Sequence, residues 1–574
     1  MSALSHFWGL LQGRVLLLAA HPGALALYCI PLAMLFTLLL LALHRRQYAR
    51  ALWYVIAMLA IDLFFSAGDD VEHHVQRIVA LTAQLHHGGL DPLLTNPDSG
   101  AAYPVFVYYS LLPYALPVLL GALGLPPLLS FLVSMALLLV VMGAGLQALL
   151  RSHPLSEHGA GLPVTFLFAV LFITATYVDG LWWGRAALGE AWVYALAPWV
   201  ALALISNPPL AGASFVLLFL QICAHPLVFI HGFIGEVALA FGASQLSLLS
   251  LTRRCLLPLG GALVLAAPYW LPQFLWMHDI VGNSILPRTF ADSFLYAAEL
   301  VSPLLEFQNP LRHNLGLCFL LSMLTMVVVA RGRLAPRAWL LLAGCAVLMV
   351  LQTVHMRWLT THLPVLNLSQ FVWRLMMPVA LIGLGALLAG RNAPRVATTR
   401  LFTALALLSI ASLLLRHLVT LPHALQVQSA GQFDAAGYAK YLHPSNVWGV
   451  GLFAPDYARL SQRCPPAAST QNATFSAVHA GLAAERSYVS VFHAPTVLTE
   501  YRVNGAAVQP SACGESLVIG PVAAGNVVSV AEQQLDALQR LRIIVLVAGA
   551  CGAWWWLRRG RAHTSQPRER LLRE

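Results

Sequence analysis

Uncharged apolar stretches recur along this 574-residue chain, many close to the roughly 20 residues that one helix needs to cross a bilayer. Nothing else constrains the fold as strongly, because within lipid only helices and closed barrels satisfy every backbone polar group. Candidate spans cover 24–43, 51–67, 125–150, 163–177, 188–205, 211–224, 227–241, 255–275, 315–330, 338–354, 375–388, 401–415 and 541–557. Only 10% of the residues are charged and 59% are hydrophobic. A soluble domain carries about 25% charge, so this composition excludes an ordinary cytosolic enzyme, a disordered chain and a secreted disulfide scaffold. The expected fold class is an all-α polytopic membrane protein of about 13 transmembrane helices. A C-terminal extracytoplasmic β-rich domain and a final transmembrane helix complete it.

The net charge of +10 acquires meaning once it is placed. Basic residues in short loops mark the cytoplasmic side. Arg45, Arg46 and Arg50 form one cluster, Arg253 and Arg254 another, followed by Arg331, Arg333 and Arg337, then Arg391, Arg395 and Arg400, and a tail from Arg558 to Arg573. Assigning these to the cytoplasm gives that side +15 and leaves −5 elsewhere. The excess therefore orients a membrane protein and makes no case for nucleic acid.

The chain divides into four regions. Residues 1–23 read as an interfacial N-terminal segment, with no cleavable signal peptide, since no A-x-A-like site follows a short apolar core. Residues 24–416 form the transmembrane module, with an outer loop over 68–124. Within that loop Tyr103–Gly124 holds Pro104, Pro113 and Pro117 and reads as a re-entrant or membrane-surface segment. Over 417–539 apolar runs shorten and alternate, and Asn504-Gly505 favours a tight hairpin. This is the extracytoplasmic β-rich domain, and 540–574 supply the last helix and a basic cytoplasmic tail. Six of the eight cysteines lie in candidate spans. Cys464 and Cys513 both fall in the outer region, where a disulfide suits an oxidising compartment.

Acids at a membrane boundary are costly unless paired or functional. Asp69 and Asp70 end the second span, and Asp70, His74 and Arg77 recur at helical spacing, which puts the three on one helix face. A solvated helix start is the plainer reading; the adjacent carboxylates abutting lipid favour a functional one. Asp62 lies two turns earlier, inside the span. In the next outer loop Arg185 and Glu190 are either a mutual ion pair or, for Arg185, an anion ligand. His225 caps a short span, Glu236 lies mid-span, and Gln370-Phe-Val-Trp-Arg374 opens the eleventh span. Leaving aside Asp62 and Glu236 inside their spans, these polar groups come from four separate segments and share the outer face, which makes a single outward cavity the economical reading.

Taken together, these motifs resemble bacterial multi-spanning proteins of the GT-C glycosyltransferase superfamily. The nearest subgroup is labelled "6-pyruvoyl-tetrahydropterin synthase-related, membrane protein". Gly68-Asp-Asp70 with His74 and Arg77 resembles its G-x-D-x-x-x-H-x-x-R opening, and Gly100–Tyr109 its G-x-P-x-F-x-Y-x-P-L segment. Arg185–Glu190 resembles R-G-A-x-x-E, and Gln370–Arg374 resembles Q-F-P-W-R. Ala102 and Ala186 stand where Gly is usual, Ser110 and Val372 where Pro is usual, and Asp69 lies beside the expected Asp70. The label implies no pterin chemistry, since the chain lacks clustered zinc-binding histidines.

The resemblance implies a GT-C-like module at the bacterial cytoplasmic membrane, with an extracytoplasmic active face. It implies inverting transfer of a sugar from a polyprenyl-phosphate donor to an envelope glycan, lipid or protein acceptor. In that reading Asp70 or Asp69 is the base and Arg185 and Arg374 meet the phosphate. His74 and Arg77 orient, and Tyr108, Tyr109, Glu190, His225 and Gln370 line the same substrate site. Some members of the superfamily use a divalent metal, Mg or Mn, and others none; Asp69 and Asp70 are the candidate ligands. A lipid or polysaccharide transporter or flippase, and a non-catalytic scaffold of an envelope polysaccharide machine, are the alternatives.

Overall fold

The computed structural model describes residues 22–65, 68, 70–86, 94–95, 102–103, 105–152, 162–206, 210–276, 290–302, 314–330, 334–362, 371–390, 396–429, 471–473, 478–479, 487–491, 500–508, 511–513, 516–522, 527–531, 537–549 and 551–552. Asp69, Gln370, Cys464 and most of the segments 1–23 and 553–574 lie outside the described residues, as does the pairing of Cys513.

Helices dominate. In chain order they are α1 Pro22–His44, α2 Tyr48–Leu63, α3 Val71–His86, α4 Val105–Tyr108, α5 Ala115–Ala122, α6 Pro127–Ser152, α7 Leu162–Ile173, α8 Thr176–Asp179 and α9 Leu188–Ile205. Next come α10 Ala211–Ala224, α11 Pro226–Ala243, α12 Leu248–Leu265, α13 Ala267–Trp276, α14 Leu317–Ala330, α15 Pro336–Leu351, α16 Met376–Ala389 and α17 Val396–Ser429. Among the described residues seven helices are long and apolar enough to cross a membrane, or eight if one bent pair counts as a span. Others of the thirteen expected spans take the form of shorter helices, such as α10, α14 and α15. Large apolar side chains such as Leu257, Val264, Leu27 and Met34 stand exposed on the outside of the bundle, the inverse of a water-soluble surface. The chain is a multi-pass α-helical membrane protein.

At the centre lies α16. Its sequence MMPVALIGLGALLA is apolar on every side, and all of its residues are buried, as expected of a helix with no polar face. Small residues let it approach α11 closely. A Cβ on Gly242 would fall 2.2 Å from the Gly385 carbonyl oxygen, and one on Gly385 would fall 2.9 Å from that of Ala238.

Two breaks in helical geometry interrupt the bundle. Between Val164–Ile173 and Thr176–Gly184 the axis bends by 51°. There the Thr174 hydroxyl donates back to the Val170 carbonyl at 2.8 Å and meets Ser409 of α17 at 2.9 Å, the side-chain intrusion that bends helices. A π turn, Gly180–Gly184, then carries the chain toward α9. The second break is the stretch expected to be re-entrant. It consists of α4, a 3-10 turn at Leu112–Tyr114, and α5, so no continuous span runs through it.

One buried arginine makes that broken backbone tenable. Arg542, in the helix at 537–549, donates to the carbonyls of Phe106, Val107 (3.0 Å) and Pro268 (2.8 Å). Phe106 and Val107 lie at the end of a four-residue helix, whose carbonyls lack helical donors. The Pro268 carbonyl lacks one because the residue a turn later is Pro272, which has no N–H. Tyr269 Oη returns a bond to the Arg542 carbonyl at 2.8 Å.

Toward the C-terminus the described strands form two four-stranded sheets, ordered β4-β10-β6-β7 and β3-β5-β9-β8. They are β3 Gln471–Ala473, β4 Val478–His479, β5 Ser487–Val491, β6 Glu500–Val503, β7 Ala506–Val508, β8 Ser511–Cys513, β9 Ser516–Val522 and β10 Val527–Ala531. A separate short pair, β1 Leu94–Thr95 with β2 Ala102–Tyr103, lies in the loop before α4. Strands β6 and β7 pair Val503 with Ala506 around Asn504 and Gly505, whose φ angles are 52° and 80°. Two consecutive positive φ values are what a two-residue hairpin turn demands. Helix α17 continues through His417 to Ser429, past the start of the outer region as read from the sequence.

Candidate functional site

Four of the expected segments converge at one end of the bundle. Gly68 lies flat on the loop after the π turn: a Cβ there would sit 2.7 Å from the Arg185 carbonyl carbon and 2.9 Å from Ala186 Cβ. The crossing is fixed by backbone bonds from Asp70 N–H to the Arg185 carbonyl at 2.9 Å and from Val71 N–H to Gly68 at 3.0 Å. Ala186 has φ 54°, the left-handed region that favours glycine. An alanine at this position is mildly strained.

From this crossing runs a chain of alternating charges. Arg185 Nη2 lies 3.1 Å from Asp70 Oδ2, and its Nη1 donates to Glu190 Oε2 at 2.9 Å. Arg374 donates to the other Glu190 oxygen through Nη2 at 2.9 Å and Nε at 3.0 Å. Side-chain exposure falls from 33% at Asp70 to 12% at Arg185, 2% at Glu190 and 5% at Arg374. Only the Asp70 end reaches solvent. Glu190 stands in the first turn of α9, where the helix dipole favours an anion. The 3-10 turn Val372–Leu375 delivers Arg374 at the head of α16. Trp373 from that turn lies under the Arg185 guanidinium at 4.5 Å and stacks on Phe371 at 4.8 Å. Of the two sequence readings of Arg185, the geometry gives the ion pair with Glu190, and the same guanidinium also pairs with the partly exposed Asp70 carboxylate.

His74 and Arg77 form a second branch. The Leu188 N–H donates to His74 Nε2 at 3.3 Å, so Nδ1 carries the proton and donates to Tyr114 Oη at 2.8 Å. Arg77 Nη1 donates to the same oxygen at 3.0 Å. Burial, and next the Arg77 guanidinium, hold the His74 imidazole well below its ordinary pKa, hence neutral. Arg77 lies over the Tyr109 ring at 4.0 Å, and Tyr109 meets His225 edge-on at 6.4 Å. His225 Nδ1 accepts the Val228 N–H at 3.4 Å, capping α11. Its ring packs against Gly189, beside Glu190. Burial and then Arg374 push the His225 pKa down to about 3.

The structure therefore brings Asp70, His74, Arg77, Tyr109, Arg185, Glu190, His225 and Arg374 together. Tyr108 is buried in α4; its neighbour Tyr109 is the ring under Arg77. Asp69 and Gln370 lie outside the described residues. Glu236 lies away from the site and is bonded by Gln221 of α10. Sequence reading misses Tyr114 and Trp373. Tyr114 belongs to an aperiodic aromatic stretch that gives no helical phase, and Trp373 lies inside a motif that draws attention to its arginine. Among the described residues no group of three or more His, Cys, Asp or Glu side chains is arranged to hold a metal ion. Asp70 is engaged by the Arg185 guanidinium, and Asp69, the other candidate ligand, lies outside the described residues.

No protein-family model matches the chain, and no curated protein matches it. Among solved structures it is similar to the cryo-EM structure of the arabinofuranosyltransferase AftD from Mycobacteria, at 17% sequence identity and a TM-score of 0.38. The similarity covers 63% of this chain and 26% of that one. The chain thus spans about a quarter of that protein's length, and a likeness at this score carries no argument about fold or activity.

Proposed function

We propose that this chain transfers a sugar from a polyprenyl-phosphate donor to an envelope glycan, lipid or protein acceptor at the outer face of the bacterial inner membrane. The observation that carries the reading is the partly exposed Asp70 carboxylate on Arg185, at the open end of the buried Arg185–Glu190–Arg374 chain. The acceptor hydroxyl oxygen attacks the anomeric carbon while the carbon–oxygen bond to phosphate breaks and the phosphate takes the electron pair. Such a displacement needs a base for the hydroxyl proton and cations for the departing phosphate. Asp70 is that base. On taking the proton it loses its charge, and the Arg185 guanidinium turns from its carboxylate to the phosphate. Glu190 holds Arg185 and Arg374 in place, and neutral His74 with Arg77 and Tyr114 braces the helix that starts after Asp70.

Sidedness rests on two further arginines. Arg254 donates to the Leu204 and Ser206 carbonyls at 3.0 and 2.9 Å, and Arg337 donates to those of Phe241 and Ser244. They cap the C-terminal ends of α9 and α11, the ends opposite Glu190 and His225. Arg254 and Arg337 stand within the first two turns of α12 and α15; with arginines at that end of the bundle cytoplasmic, the site faces outward.

The test is turnover by the nanodisc-reconstituted protein with a panel of polyprenyl-phosphate pentoses and hexoses. Asp70→Asn lowers the rate by on the order of 10²–10⁴-fold, the usual worth of a general base, while donor binding persists. Undiminished transfer by Asp70→Asn sinks the assignment, and loss in Asp69→Asn alone moves the base to that neighbour.

A further inference from the structure

Away from the site, a second set of charges that the proposed reaction does not use meets in the interior. His417 of α17 places Nδ1 2.9 Å from Asp62 Oδ2 and Nε2 3.0 Å from Asp179 Oδ2. Arg416 pairs with the same Asp179 oxygen. Trp183 of the π turn stacks on the His417 ring at 4.1 Å, with the planes 12° apart. Asp62, Asp179 and His417 are each no more than 1% exposed, so no substrate reaches them.

A neutral imidazole donates from one nitrogen only, and a carboxylate at each nitrogen calls for the doubly protonated ring. His417 and Arg416 then balance Asp62 and Asp179. Such an assembly is poor at merely stabilising a fold, since packed apolar side chains of similar volume do as well or better. It also leaves both Asp62 oxygens and Asp179 Oδ1 buried without a hydrogen-bond donor, so His417 meets Asp62 as a charge pair. What it supplies is geometry. Asp62 lies in the last turn of α2, which leads to Gly68 and Asp70. Asp179 ends α8, and the π turn from there leads into Arg185. The two acids on one imidazolium thus stand just upstream of the two partners of the Asp70–Arg185 pair.

We infer that Asp62, Asp179 and His417 are positioning residues that set the spacing between the chain segments carrying Asp70 and Arg185. The effect on turnover rests on the proposed function; the effect on geometry does not, and the experiment reads the two apart.

Asp70→Cys and Arg185→Cys are introduced together, and the rate of oxidative cross-linking in nanodiscs is measured with and without His417→Gln or Asp62→Asn. Thr174→Cys with Ser409→Cys, whose native hydroxyls lie 2.9 Å apart, is the control pair. We expect cross-linking at 70/185 to slow by about fivefold or more in either variant, a coupling of ordinary size for linked residues, while the control pair is unchanged. Equal rates at 70/185, or equal slowing of both pairs, overturn the proposal. Asp62→Asn serves alone if His417→Gln does not fold. With Asp70 and Arg185 intact, His417→Gln lowers kcat by on the order of 10²-fold, the cost of about 1 Å of misplacement, and leaves the donor KM unchanged. A rise in KM at constant kcat contradicts positioning. A wild type that transfers no sugar sinks the proposed function and leaves the cross-linking result to decide this one.

Discussion

The bundle holds two clusters in which carboxylates face cations, and they differ in access to water. In the first, Arg185, Glu190 and Arg374 are largely buried while Asp70 is 33% exposed. In the second, His417 with Asp62 and Asp179 is closed on every side. Both pair carboxylates with cations, yet only the first leaves a carboxylate partly exposed. A charge cluster in a membrane protein therefore declares its role by whether one member reaches solvent. In the proposed reaction the open cluster is the one that acts on acceptor and donor phosphate, and in its proposed positioning role the closed one fixes where the open one stands.

Breaking each cluster at its most buried point separates the two. Glu190→Gln leaves two guanidiniums in the interior without their shared carboxylate. It should cost about 3–5 kcal/mol, the loss seen when one partner of a buried ion pair is removed, read as a lower unfolding midpoint in nanodiscs. Asp70→Asn, at the partly exposed end, should cost about 1 kcal/mol or less in stability while slowing transfer. Equal stability losses in the two variants would erase the distinction between the open and buried ends.

Smaller effects test the supports around the open cluster. Tyr114→Phe removes the oxygen that accepts from both His74 and Arg77. Leaving buried donors unsatisfied should cost about 1–3 kcal/mol, and a stability equal to wild type would show the bridge to be idle. Arg542→Lys replaces three nitrogens, each on its own carbonyl, by a single nitrogen that lacks the planar fork, and should cost about 1–2 kcal/mol. Adding Pro272→Ala supplies the N–H donor that the Pro268 carbonyl lacks, so the double variant should recover part of the loss; strict additivity would show that the carbonyl does not depend on Arg542.

The smallest effect concerns pH. His74 is held well below its ordinary pKa, by burial first and Arg77 next, and His73 is lowered to about 4, chiefly by burial. Both stay neutral when folded and take a proton near pH 6.5 when unfolded. The stability they contribute is therefore present above about pH 6.5 and is lost as the pH falls toward their folded values. The unfolding midpoint should drop between about pH 7 and pH 5, less steeply in His74→Gln. An unchanged slope would show that His74 is not the titrating group.

Much of the open cluster is legible in the sequence, for a physical reason. In so apolar a chain each charge near lipid is conspicuous, and Asp70, His74, Arg77, Arg185, Glu190 and Arg374 stand out in short motifs at helix starts. Which charge pairs with which is not legible, since Glu190 bridging Arg185 and Arg374 depends on how α9 meets the turn before α16. Asp179 and His417 escape notice because each sits at the edge of an apolar run, where a polar residue looks like a loop. Arg542 falls inside the candidate span 541–557, and nothing in the sequence says that its guanidinium serves the carbonyls of a segment more than four hundred residues earlier. Periodicity locates the helices but not the bend at Thr174, which depends on Ser409.

The contrast between the clusters comes down to one measurement: single-turnover transfer from a polyprenyl-phosphate sugar by Asp70→Asn beside His417→Gln. Asp70→Asn is expected to slow transfer by on the order of 10²–10⁴-fold with donor still bound, while His417→Gln slows it and leaves donor affinity alone. Wild-type transfer by Asp70→Asn would contradict the account at its centre.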